Sequence, residues 1–190
     1  MKFSASSADL LEALNTVNRA VPSKSTMPIL ECILFEREED TLRLSATDLE
    51  ISIVQTVPVQ FETNGTPEST PIAVPAQRLL DTLRALPDMP IQFSADSDFE
   101  VRMETDQGHY KMVGHDGEDY PELPDIDSQH EITVEGGLMS RAIDKTAFAV
   151  SQDALRPAMM GVYFQMGEDE TRVVATDGHR VLKLALPALE

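Results

Sequence analysis

Asp177, His179 and Arg180 stand within four residues of each other in ATDGHRV, residues 175–181. A carboxylate, an imidazole and a guanidinium so close together could serve general acid–base chemistry, a metal or an anion. Each option needs further groups at fixed spacing. The other histidines, His109, His115 and His130, show no ligand spacing to His179. Cys32 is the single cysteine, which leaves neither an internal disulfide nor a thiolate cluster. Within ECILF it reads as a small buried hydrophobe. There is no nucleophile elbow and no phosphate-cradling glycine loop. The expectation is therefore no catalytic site, no metal and no cofactor.

Ala-Thr-Asp occurs twice, at 46–48 and 175–177, each time followed by an apolar-rich run ending in proline. A shift of 129 residues superposes the two copies, and the register holds without a gap over 61 pairs. Twelve of those pairs are identical, among them Ala13/Ala142, Val21/Val150, Pro28/Pro157, Phe35/Phe164, Arg43/Arg172 and Pro58/Pro187. That density points to a duplicated domain and not to a short solenoid repeat. A weaker echo at a shift of 69 matches Leu10-Leu11-Glu12-x-Leu14 to Leu79-Leu80-Asp81-x-Leu83. Three units thus start near residues 2, 71 and 131. The first two make one domain, residues 1–125. The third opens a second, residues 126–190, which reads as the first half of a domain whose remainder is absent.

Each unit leads from a short strand (KFSA, PIAV, EITV) into a helix, expected over 8–20, 76–86 and 138–150. Leu10, Leu14, Val17 and Val21 share one helical stripe, as do Leu79, Leu83 and Leu86. In the third helix Met139, Ile143 and Thr146 take that place. Alternating strands follow, as in Leu42, Leu44 and Ala46. The acidic, proline-bearing stretch 115–127 reads as an interdomain linker. The fold class is α+β, with antiparallel sheets and helices packed on one side.

Composition bounds the partners. The 190 residues carry 42% hydrophobic side chains, enough for a real core, and a net charge of −18. The N-terminus lacks the apolar stretch of a signal peptide, and no run approaches the roughly 18 residues of a membrane span. A cytoplasmic protein without a membrane partner is expected. The acidity argues against a general polyanion binder, but the charge is unevenly spread. Segments 8–24, 75–87 and 137–150 hold six bases (Arg19, Lys24, Arg78, Arg84, Arg141, Lys145) against four acids, while the rest holds nine against 29. The helix faces are mildly basic, suited to weak phosphate attraction without sequence choice.

Seven segments in order, MKF, TMPIL, ATDLE, VPAQRLLDTLRALP, DYPELP, RPAMMGV and ATDGHRV, make the chain resemble the bacterial DNA sliding clamps, the beta subunits of DNA polymerase III. The resemblance covers essentially all 190 residues. It implies the clamp fold, in which domains of duplicated strand–helix–strands units form a two-subunit ring, with helices lining the hole and sheets outside. It implies a processivity factor that encircles double-stranded DNA and tethers the polymerase III alpha subunit, the clamp loader and other clamp-binding proteins. Lys24, in the loop after the first helix, falls where family members touch the duplex. By resemblance Met159, Thr176, Gly178, His179, Arg180 and Val181 border the groove that captures short Gln- and Leu-containing peptides. There Gly178 permits a tight turn and close approach, Met159 and Val181 offer an apolar floor, and Arg180 offers directional polar contacts. Tyr110, ten residues before Tyr120-Pro121, falls at the subunit junction of the homodimer. Two alternatives stand beside this reading: an interaction module of the same fold that never encircles DNA, and an enzyme using His179.

Overall fold

The computed structural model describes residues 1–62, 70–123 and 132–188. Thirteen strands and three α-helices are present among them: β1 (Lys2–Ser6), α1 (Ser7–Val17), β2 (Cys32–Glu38), β3 (Thr41–Thr47), β4 (Ser52–Pro58), β5 (Gln60–Phe61), β6 (Ile72–Pro75), α2 (Ala76–Arg84), β7 (Pro90–Ala95), β8 (Glu100–Thr105), β9 (Gly108–Val113), β10 (His115–Asp116), α3 (Gly136–Thr146), β11 (Tyr163–Met166), β12 (Glu170–Thr176) and β13 (Val181–Pro187). Two compact units divide the chain, Met1–Asp125 and Ile126–Glu190.

In the first unit two five-stranded antiparallel sheets run β5-β1-β7-β8-β9 and β10-β6-β2-β3-β4. The two half-units, β1-α1-β2-β3-β4 and β6-α2-β7-β8-β9, exchange their leading strands. Strand β1 pairs with β7 of the other half, Phe3 opposite Phe93, and β6 pairs with β2, Val74 opposite Ile33. Neither half can complete a sheet alone. The rings of Phe3 and Phe93 stack at 4.8 Å and those of Phe35 and Phe93 at 5.3 Å, joining the two sheets through one core.

The hydroxyl of Ser6 starts α1 by accepting from the amides of Ala8 and Asp9, and Asp9 sits in the first turn, where the helix dipole favours an anion. Leu10, Ala13, Leu14 and Val17 are buried along one face of α1; Leu79, Leu80 and Leu83 are buried on α2. The helices pack against each other, and α1 also lies on β3 and β4. A guanidinium nitrogen of Arg84 donates to the Asn15 side-chain oxygen at 2.9 Å across this seam.

In the second unit α3 covers a three-stranded sheet, β11-β12-β13. Several sequence expectations are corrected here. All three helices end earlier than expected. The first and third close in single 3-10 turns, Asn18–Ala20 and Ala147–Ala149, and the second stops at Arg84. EITV forms no strand over 132–134, and Glu131 lies outside the described residues. The reason is the strand exchange: a leading strand pairs with the other half-unit's sheet, and the described residues of the second unit contain no such sheet. Ile143, expected on the buried stripe, is 41% exposed, and the buried face of α3 is Ala142 and Thr146.

The segment expected as a linker is structured through Tyr120. Strand β10 pairs with β6, Gly117–Asp119 form a 3-10 turn, and Tyr120 is buried. The Tyr120 hydroxyl accepts from the Thr47 amide and donates to the Cys32 carbonyl, both at 3.3 Å, tying the end of the first unit to β2 and β3. The remainder of that stretch, 124–127, lies outside the described residues. Cys32 is buried as expected, and burial pushes its thiol up to about 11, which leaves it unreactive as a nucleophile.

Candidate functional site

The site around His179 is built by one turn. Strand β12 ends at Thr176 and β13 begins at Val181, the two residues facing each other in register. The hydroxyl of Thr176 accepts from the Gly178 amide at 3.1 Å and donates to the Arg180 carbonyl at 2.7 Å. Asp177 Oδ1 accepts from the amides of His179 and Arg180, both at 2.9 Å. Gly178 takes φ +87°. These backbone donors to the Asp177 carboxylate, Arg180 first and His179 second, hold its pKa below the ordinary 3.8. Thr and Asp are required here as short acceptors that close a turn on their own backbone.

Arg180 is oriented from three sides. Its Nε donates to Asp177 Oδ2 at 2.9 Å, a terminal nitrogen donates to the Phe148 carbonyl at 2.8 Å, and the guanidinium lies 5.5 Å from the Phe148 ring centre. The cation is thus largely committed to holding the turn against the segment that follows α3. A polar cleft of about 600 Å³ lies beside it, lined by Phe148, Gln152, Asp153, Arg156, His179 and Arg180 among others. Arg156 pairs with Asp153 at 3.5 Å.

Of the residues expected at the groove, His179 and Arg180 line this cleft. Met159 is half-buried in the 3-10 turn Pro157–Met159, and its carbonyl accepts from Ser151 N at 2.8 Å. Val181 is 73% exposed at the start of β13 and is not among the residues that line this cleft. Sequence reading missed Phe148 and Arg156. The end of the helical pattern gave a signal for Phe148; Arg156 opens RPAMMGV, one of the segments that carry the resemblance, but its place beside the turn is seen only in the fold. Another cleft, of about 680 Å³, lies in the first unit beside Ser6, Val59, Asp88 and Met89 and contains none of the expected residues.

The six bases of the helical segments are all exposed. Arg84 makes the contact to Asn15 and a loose 3.6 Å pair with Asp81. Among the described residues no ion pair engages Arg19, Lys24, Arg78, Arg141 or Lys145. The bases elsewhere are mostly paired: Lys2 with Glu62, Arg43 with Glu36, Arg102 and Lys111 with Glu100, and Arg172 with Glu170. Tyr110 sits on β9, the edge strand of its sheet, opposite Met103 and half-buried against the core. Among the described residues no group of three His, Cys, Asp or Glu side chains is placed to hold a metal, and no helix is long and apolar enough to cross a membrane.

Interlocked half-units with two adjacent helices, followed by a second copy of the first half, define an α+β protein of the DNA-clamp class. Residues 1–124 match the family described as the DNA polymerase III beta subunit, N-terminal domain, and residues 133–189 its central domain. The chain belongs to the DNA polymerase III beta subunit family. It is 34% identical to the beta sliding clamp of Caulobacter vibrioides over all of this chain and 51% of that protein, and 28% identical to that of Bacillus subtilis over 95% of this chain and 49% of the relative. It therefore spans about half the length of the curated relatives it matches. Among solved structures, the Bacillus subtilis sliding clamp superposes with a TM-score of 0.91 at 27% identity over 100% of this chain and 50% of that one. A sliding clamp from Bartonella birtlesii, solved bound to griselimycin, gives 0.89 at 28% identity over 100% of this chain and 50% of the other.

Proposed function

We propose that this chain is part of a ring-forming sliding clamp, a non-catalytic processivity factor that encircles duplex DNA and tethers the replicative polymerase. The observation that carries the reading is the division of the basic residues. Those on the sheets are mostly neutralised by acids, whereas five of the six on the helical segments have no ion pair among the described residues. A sliding protein needs a wall that attracts phosphates weakly and without registry, because its hold on DNA is topological. Arg19, Lys24, Arg78, Arg84, Arg141 and Lys145 supply that wall. The acidic remainder repels DNA from the outside and is compatible with the net charge of −18.

The turn 176–181 with Met159 serves as one edge of a docking groove for peptides from the polymerase alpha subunit, the clamp loader and other clamp-binding proteins. Strand β9 with Tyr110 serves as the junction of a homodimer. No cofactor takes part, and the protein works in the cytoplasm without a membrane partner. Fluorescence anisotropy of the 190-residue chain with a labelled duplex at low salt tests the first statement. Weak binding that disappears with added salt supports it. Binding to a Gln- and Leu-containing peptide with no affinity for DNA at any salt would instead favour a pure interaction module, and turnover of a substrate lost on changing His179 would favour an enzyme.

A further inference from the structure

Asn15 and Arg84 meet across the seam of α1 and α2, and they occupy the same position of the repeated helix. The 69-residue shift that matches Leu10 to Leu79 and Leu14 to Leu83 also carries Glu12 onto Asp81 and Asn15 onto Arg84. Leu14 and Leu83 are buried on the packed faces of the two helices, and the residue after each is exposed. One copy thus has a neutral acceptor at this position and the other a cation. They are joined by the 2.9 Å bond from a terminal nitrogen of Arg84 to Asn15 Oδ1.

Arg84 is also held from its own helix. Its other terminal nitrogen lies 3.6 Å from Asp81 Oδ1, and the Gln77 side-chain amide donates to both Asp81 oxygens, at 2.8 and 2.9 Å. The carboxylate is shared with Gln77 and engages Arg84 only loosely. Gln77, Asp81, Arg84 and Asn15 form an exposed polar row over the seam. A guanidinium has five N–H donors, and among the described residues Arg84 makes the one hydrogen bond to Asn15.

We infer that Asn15 is a positioning residue for the proposed DNA face: it fixes the Arg84 guanidinium over the seam of α1 and α2 without cancelling its charge, so that Arg84 meets a duplex phosphate already ordered. This rests on the reading of the helix faces as the DNA-facing wall. Ordering a long cationic side chain on binding costs free energy, and a cation ordered beforehand avoids part of that cost. Arg19, Lys24, Arg78, Arg141 and Lys145, with no ion pair among the described residues, must be ordered by the phosphate itself.

The neutrality of Asn15 is part of the device. An aspartate there would set a second carboxylate beside the guanidinium and neutralise it. The chain carries that residue in its third helix, where the 129-residue shift brings Asn15 onto Asp144, also exposed. No cation pairs with Asp144 among the described residues. The carboxylate therefore stands where no guanidinium is at hand, and the neutral amide where one is.

A double-mutant cycle in the 190-residue chain tests this, with a fluorescein-labelled duplex read by anisotropy. Asn15→Ala is expected to weaken binding at low salt about three- to tenfold. The slope of log affinity against log salt should stay as in wild type, because the charge remains. In an Arg84→Ala background the same substitution should change affinity by less than about twofold. Asn15→Asp should lower the slope by up to about 0.9, as the loss of one phosphate contact does. If Asn15→Ala weakens binding equally with and without Arg84, Asn15 acts on DNA or on the fold by itself and the inference is overturned. An Asn15→Ala variant that binds like wild type overturns it too. A wild-type chain with no affinity for the duplex at any salt would instead remove the DNA-facing wall, and the inference with it.

Discussion

Leu14 and Ile143 occupy the same position of the repeated helix, yet Leu14 is wholly buried and Ile143 is 41% exposed. The difference lies in what covers the helix. In the first unit α2 packs beside α1 and closes the core over Leu14. Among the described residues of the second unit, no second helix does this for α3. Leu14→Ala is therefore expected to cost about 2–5 kcal/mol, the range for a buried leucine that leaves a cavity. Ile143→Ser should cost less than about 1 kcal/mol. Urea unfolding of the two variants, followed separately for each unit, measures the contrast; equal losses would contradict the difference in burial.

The proposed DNA face predicts a salt signature. Replacing Arg19, Lys24, Arg141 and Lys145 by Glu should abolish the weak affinity for duplex DNA. Single replacements should each lower the slope of log affinity against log salt by up to about 0.9, the value for one phosphate contact. Anisotropy titrations at several salt concentrations give the slope. A quadruple variant that binds like wild type would remove these residues from the face.

The Tyr120 hydroxyl is a two-way tie between the Thr47 amide and the Cys32 carbonyl. Tyr120→Phe keeps the ring and leaves the buried Thr47 amide without its acceptor, a loss of about 1–3 kcal/mol. Denaturant midpoints report it. Hydrogen exchange should rise first at Thr47, while the shape of the unfolding transition stays the same.

Asp48 and Asp177 predict an acid limit for the two turns. Backbone donors lower both carboxylates, Ile51 then Glu50 for Asp48 and Arg180 then His179 for Asp177. A folded pKa below the unfolded value of 3.8 stabilises the fold fully above that value. The contribution then fades as pH falls through the lowered folded pKa. Amide protection at residues 50, 51, 179 and 180 should accordingly be constant from neutral pH down to about 4 and fall below it. Asp48→Asn retains an acceptor oxygen and should flatten this acid loss at residues 50 and 51 only.

Tyr110 lies on an edge strand, and unpaired strand edges are the usual places for one sheet to continue into another. As the proposed subunit junction, Tyr110→Ala should raise the dimer dissociation constant of the assembled clamp, read by sedimentation velocity. Val113, on the same strand and 65% exposed, offers a second variant, Val113→Lys, that removes no core contact. A dimer equally tight in both variants would take β9 out of the junction.

Much of this architecture was legible in one dimension because it is local or repeated. The Thr-Asp pair closes its turn through bonds to its own next residues, so ATD followed by a strand predicts that turn wherever it occurs. The apolar spacing of α1 and α2 determined their buried faces, since helical period and burial coincide there. The 129-residue register exposed the duplication without reference to any structure. What the sequence could not decide depends on which distant segment lies opposite. Whether a leading strand forms depends on a sheet contributed by the other half-unit, so KFSA became β1 while EITV paired with nothing described. Tyr120 looked like linker because its partners, Thr47 and Cys32, lie 73 and 88 residues away. The same holds at the site: Asp177, Gly178 and His179 announced a turn, but the commitment of Arg180 to the Phe148 carbonyl, 32 residues back, required the helix end and the sheet to meet in three dimensions.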